Sequence, residues 1–76
     1  MKGRSRTMMN HEIRTYIRNN NKVKEMYRES FRTAEEAYKA YQNVIEDHNK
    51  LPKQIRHNLT VARYNDGRLM TFVELH

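Results

Sequence analysis

At 76 residues, with 37% of them apolar and 32% charged, the chain is one small domain whose core holds about a dozen side chains, a size at which burial barely offsets chain entropy. Cysteine is absent, which excludes disulfides and zinc–thiolate sites, and no apolar run approaches the ~20 residues of a membrane helix. The net charge of +6 favours an acidic partner, but half of it comes from Lys2, Arg4 and Arg6 alone, so the rest of the chain is only modestly basic.

Residues 1–8 read as a basic disordered tail and residues 9–76 as one α+β domain. The start lacks the apolar stretch of a secretory signal, and the expected location is the cytoplasm. Asn19-Asn20-Asn21 then separates two runs rich in apolar, basic and β-branched residues. Asparagine tolerates left-handed backbone and initiates turns, so the pattern predicts a hairpin with a three-residue loop over 19–21. That register sets Ile17 opposite Val23 and Ile13 opposite Tyr27, with Met9, Ile13, Ile17, Val23, Tyr27 and Phe31 sharing the core face. A competing reading makes residues 10–29 helical, because Ile13, Tyr16, Ile17, Val23 and Tyr27 also fit one helical arc.

The helix comes next. Thr33 and Glu36 have capping-box spacing, and Glu35 and Glu36 complement the positive end of the helix dipole. Ala34, Ala37, Tyr38, Tyr41, Val44, Ile45 and His48 recur at steps of three and four, which is one apolar stripe; Tyr38 and Tyr41 read as core. The segment fades near Leu51, before Pro52, which cannot continue the ladder. A second hairpin follows around Asn65-Asp66-Gly67. A three-residue loop with Gly67 left-handed pairs Tyr64 with Arg68, Val61 with Thr71 and Leu59 with Val73. Leu59, Val61, Leu69, Thr71, Val73 and Leu75 then share one face, and Thr60, Ala62, Tyr64, Met70 and Phe72 the other. The expected fold is ββαββ, two hairpins in an antiparallel sheet with one helix on one face; the helical reading of residues 10–29 gives ααββ instead.

In that register Arg14, Tyr16, Arg18, Lys22, Lys24, Met26 and Arg28 point away from the helix, and Tyr64, Arg68 and Phe72 extend the same surface. Cations interleaved with aromatics suit a phosphate backbone or stacked bases, and exposed tyrosines among arginines also suit a protein hot spot. The partner-binding candidates are therefore Arg14, Tyr16, Arg18, Lys22, Lys24, Arg28, Tyr64 and Arg68. The tail is a second candidate for phosphate contact. His11, His48, His57 and His76 lack the i, i+4 spacing of a metal-binding helix. Glu35-Glu36 and Glu46-Asp47 point about 100° apart on a helix and cannot share a proton. With Gly3 and Gly67 the only glycines, no phosphate loop exists. No enzyme, metal or cofactor is expected.

The segment from Tyr27 to Ala37, with its Phe31-Arg32-Thr33 strand end and Glu35-Glu36-Ala37 helix start, resembles the AP2-like arm-binding domain of phage integrases. That resemblance implies basic strands in a DNA major groove, carried here by Arg14, Arg18, Lys24 and Arg28. It departs in strand number: that family has three strands before its helix, whereas this chain has two before and two after. In size and layout the whole chain also resembles small bacteriophage-encoded inhibitors of host complexes. The expected function is a non-enzymatic modulator that docks on a host protein complex through the basic, aromatic-bearing sheet face. Alternatives are a direct DNA- or RNA-binding protein using that face and the tail, and a small homodimeric structural subunit.

Overall fold

Asn20 and Asn21 both take positive φ, 51° and 69°, and with that backbone they form a two-residue loop between β1 (His11–Asn19) and β2 (Lys22–Phe31). Positive φ at both central positions is the I′ pattern, whose twist matches that of the flanking strands. Asp66 and Gly67, at 55° and 77°, do the same between β3 (Leu59–Asn65) and β4 (Arg68–Glu74). This computed structural model describes residues 10–76; the tail with Lys2, Arg4 and Arg6, and Met9 of the expected core face, lie outside the described residues.

The four strands form one antiparallel sheet in the order β2-β1-β3-β4, and the main helix α1 (Ala34–His48) lies over β1 and β3 and reaches β2. The fold is therefore α+β with ββαββ order, and residues 11–19 and 22–29 are strand rather than helix. Thr33 caps α1 by accepting the Glu36 N–H at 3.1 Å, while its hydroxyl donates to the Glu36 carboxylate at 3.2 Å. The helix stops at His48 with Asn49 as its C-cap, three residues before the proline. A four-residue helix, α2 (Lys53–Arg56), follows Pro52, whose carbonyl accepts from Ile55 and Arg56; nothing in the hydrophobic pattern announced it.

Ile13, Ala37, Tyr41, Leu59, Val61 and Leu75 form the buried core, with Ile17, Phe31, Ala40, Val44, Ile45, Leu51 and Val73 packed around it. The helix stripe is narrower than expected. Tyr41 is core, but Tyr38 is 53% exposed and its hydroxyl accepts from the Gln42 side chain at 2.9 Å. Thr15 is fully buried between the sheet and helix, and its hydroxyl has no hydrogen-bond partner among the described residues.

Both hairpin registers differ from the expected ones, for the same reason. A two-residue loop sets Asn19 opposite Lys22, Arg18 opposite Val23 and Ile17 opposite Lys24. Cross-strand partners share a face, so Val23 turns to the open side, 64% exposed, and Lys22 and Lys24 turn to the helix-bearing side. A bulge then leaves Met26 without a partner and restores Tyr27 opposite Thr15 and Phe31 opposite His11, because one extra residue reverses the alternation. In the second hairpin Asn65 faces Arg68 and Tyr64 faces Leu69; Met70 is skipped, and Val61 faces Val73. Leu69 thus leaves the core face, while Thr71, Val73 and Leu75 keep it.

Candidate binding face

Alternation along the two central strands puts Glu12, Arg14, Tyr16 and Arg18 of β1 and Thr60, Ala62 and Tyr64 of β3 on the side opposite the helix. Val23, Glu25, Arg28 and Ser30 of β2 join them, as do Leu69, Phe72 and Glu74 of β4. Of the expected binding residues, Arg14, Tyr16, Arg18, Arg28 and Tyr64 are brought together here. Lys22, Lys24 and Arg68 are not: their partners Asn19, Ile17 and Asn65 belong to the other side.

The centre of the face is a cluster of charge and aromatic contacts. The Arg14 guanidinium lies 4.1 Å from the centroid of the Tyr64 ring, a cation–π distance. Its Nε and Nη2 donate to the Glu12 carboxylate at 2.9 Å and 2.5 Å. The Tyr16 and Tyr64 hydroxyls are 3.0 Å apart. Hydrogen bonding to Tyr16, and then to Glu12, pushes the Arg14 guanidinium above its ordinary range. The bond to Tyr16 likewise raises the Tyr64 phenol. Both tyrosines are half-buried, whereas the sequence implies exposed anchors. Arg14 and Glu12 keep only 19% of their side-chain surface in water.

The other cations are also matched. Arg28 donates two bonds to Glu25, at 3.0 Å and 2.7 Å, and lies 3.8 Å from Glu12; the same pair lowers the Glu25 carboxyl and raises Arg28. Arg18 reaches Glu74 across the sheet at 3.7 Å. Arg14, Arg18 and Arg28 are thus balanced by Glu12, Glu25 and Glu74, so the face expected to be basic is electrically neutral. By strand alternation alone Glu12 belongs to that face in the sequence; Glu25 joins it through the two-residue turn, and Glu74 arrives from a distant strand. Exposed apolar groups flank the cluster on opposite edges: Val23 on β2, and Leu69 and Phe72 on β4.

Such an arrangement can stack, hydrogen-bond and bury. Among the described residues no group of three or more His, Asp or Glu side chains comes together as a metal site. No described helix is long and apolar enough to cross a membrane. Fold and site together define a small α+β domain with an uncovered, mixed-charge aromatic sheet face. Compared with protein-family models, curated proteins and solved structures, the chain matches none.

Proposed function

We propose that this chain is a non-enzymatic binding protein that docks on a protein partner through the open face of its sheet, in the manner of small phage-encoded modulators of host complexes. On this reading it works in the host cytoplasm and acts by occluding a surface of its target. The observation that carries the reading is the Arg14–Tyr64–Tyr16 cluster held by Glu12. Tyrosine and arginine dominate interface hot spots, and here they are fixed before binding, which lowers the ordering cost. Arginines already committed to carboxylates are poorly placed to displace counterions from a phosphate backbone.

Capture of partners from a bacterial lysate, followed by titration of the captured partner, tests this. Replacing Tyr16 and Tyr64 together by alanine lowers affinity at least ~30-fold, as expected for central anchors, with the circular dichroism of the fold unchanged. Unaltered affinity in that folded double variant overturns the reading. The nucleic-acid alternative draws support from Lys22 and Lys24, which take part in no ion pair among the described residues. It predicts affinity that collapses with salt and depends on those lysines rather than on the tyrosines.

A further inference from the structure

Charge is distributed very unevenly over this fold. On the open face Arg14, Arg18 and Arg28 are each matched by a carboxylate. At the tip of the first hairpin the match fails. From Arg18 to Lys24 there is no carboxylate, and every residue is exposed. Lys22 and Lys24 form no ion pair among the described residues, and the flanking Glu25 is already held by two bonds from Arg28.

A second stretch without carboxylates meets the first. The Arg18 N–H donates to the Asn58 carbonyl at 2.9 Å, which ties the root of the hairpin tip to the end of α2. Between Pro52 and Asn58 the only Lys, Arg, Asp or Glu residues are Lys53 and Arg56. Arg56 is engaged by the carbonyls of His76, Asn49 and Leu51, at 2.6, 3.1 and 3.2 Å. Lys53 is exposed and, like the hairpin lysines, forms no ion pair among the described residues. β1 pairs with β3 only as far as Ile17, so Asn19 to Lys24 run on past β3 as a two-stranded ribbon. On it Lys22 and Lys24 share one side of β2, two residues and roughly 6.7 Å apart along the strand.

We propose that this end of the molecule, the hairpin tip together with Lys53, contacts the phosphate backbone of nucleic acid and is a second surface beyond the docking face. Three features select that occupant. Successive phosphates on a strand repeat at nearly the Lys22–Lys24 spacing, whereas carboxylates on a protein surface have no fixed repeat. Lysine meets phosphate as a point charge, while the arginines nearby, whose fork suits single carboxylates, are held by Glu74 and by carbonyls. Asn19, Asn20 and Asn21 add amides of the kind that donate to phosphate and sugar oxygens. Free lysines displace condensed counterions, so the contact is sequence-independent, weak and salt-dependent. Arg14, Tyr16 and Tyr64 take no part in it, so this contact and the docking face stand or fall separately.

Fluorescence anisotropy of a labelled mixed-sequence DNA, single-stranded and duplex, titrated with the full chain at ~50 and ~200 mM salt, tests the contact. The expected result is weak binding that falls roughly 20- to 40-fold between the two salts, the slope of about three neutralised phosphates. Lys22→Gln with Lys24→Gln removes about two of those contacts from the slope. Arg32→Gln with Lys39→Gln, the same loss of charge around the start of α1, leaves the slope unchanged. No binding at the lower salt overturns the proposal, as does a slope that survives in the folded lysine variant or that the α1 variant reduces equally. Equal affinity for poly-glutamate, which carries the charge without the phosphates, also overturns it. If the lysine variant fails to fold, amide chemical shifts of the unaltered chain decide. Changes on adding DNA that centre on residues 18–24 and 53–57 support the contact; changes that centre on Tyr16 and Tyr64 overturn it.

Discussion

The first hairpin and the second close with the same two-residue left-handed turn, and each bends its outer strand at a methionine, Met26 in one and Met70 in the other. Yet β2 is studded with five charged side chains whose arginine is tied to glutamates, whereas β4 has an uncharged middle. The shared backbone plan with opposite edge chemistry separates two roles. The turn and bulge decide which side chains face the helix, and the edge residues decide what the sheet can join.

Breaking the shared plan at its centre has the largest expected effect. Ile13→Ala on β1 or Leu59→Ala on β3 removes a fully buried side chain, costing about 2–5 kcal/mol, much of the stability of so small a domain. Urea unfolding should show either variant largely unfolded at room temperature. The same truncation at Val23 or Leu69, one on each outer strand, should shift stability by less than ~0.5 kcal/mol because both are already in water.

The turns separate the hairpins next. Gly67→Ala finds open space around the added carbon, so the cost is the left-handed backbone alone, about 1 kcal/mol. Asn21→Gly gives the first hairpin the favoured glycine of an I′ loop, and thermal unfolding should show a slightly higher midpoint. Thr15→Val acts in the same direction and more strongly, by about 1 kcal/mol, since it replaces a buried hydroxyl that has no partner among the described residues with a methyl of similar shape.

The smallest effect is on alkaline stability and belongs to the first hairpin. The Tyr27 hydroxyl donates to the Glu29 carboxylate on the same strand, and this bond pushes its phenol up to about 12. A folded value raised above the unfolded one, near 10, contributes stability that is complete below about pH 10 and lost as pH climbs towards 12. Unfolding free energy should therefore fall across that interval, and Tyr27→Phe should flatten the fall. The exposure of the pair keeps the effect small.

Much of this was legible in the chain because turns, cap and stripe are local. Three asparagines, Asp66-Gly67 and the Thr33–Glu36 spacing act over four residues or fewer, and they specify ββαββ. What escaped was parity. Asn19-Asn20-Asn21 is compatible with a loop of two or three residues, and the choice flips every side chain between the turn and the next bulge. Met26 and Met70 give no sequence sign of being skipped. Tyr27, Phe31, Thr71 and Val73, beyond the bulges, therefore fall on the expected face, while Lys22, Val23, Lys24, Arg68 and Leu69, before them, do not. The neutrality of the face escaped for a different reason: the Arg18–Glu74 pair joins residues 56 positions apart, and only the strand order brings them together.

The open face is neutral and internally paired, and the salt dependence of nucleic-acid binding tests that neutrality most directly. Titrating random-sequence DNA and RNA against the full chain at ~50 and ~200 mM salt reads the number of phosphates neutralised. Weak binding at low salt is expected, with whatever remains insensitive to charge reversal at Arg14 and Arg28. Tight binding with a steep log–log salt slope, abolished by that same reversal, would contradict it and return the face to a phosphate-tracking role.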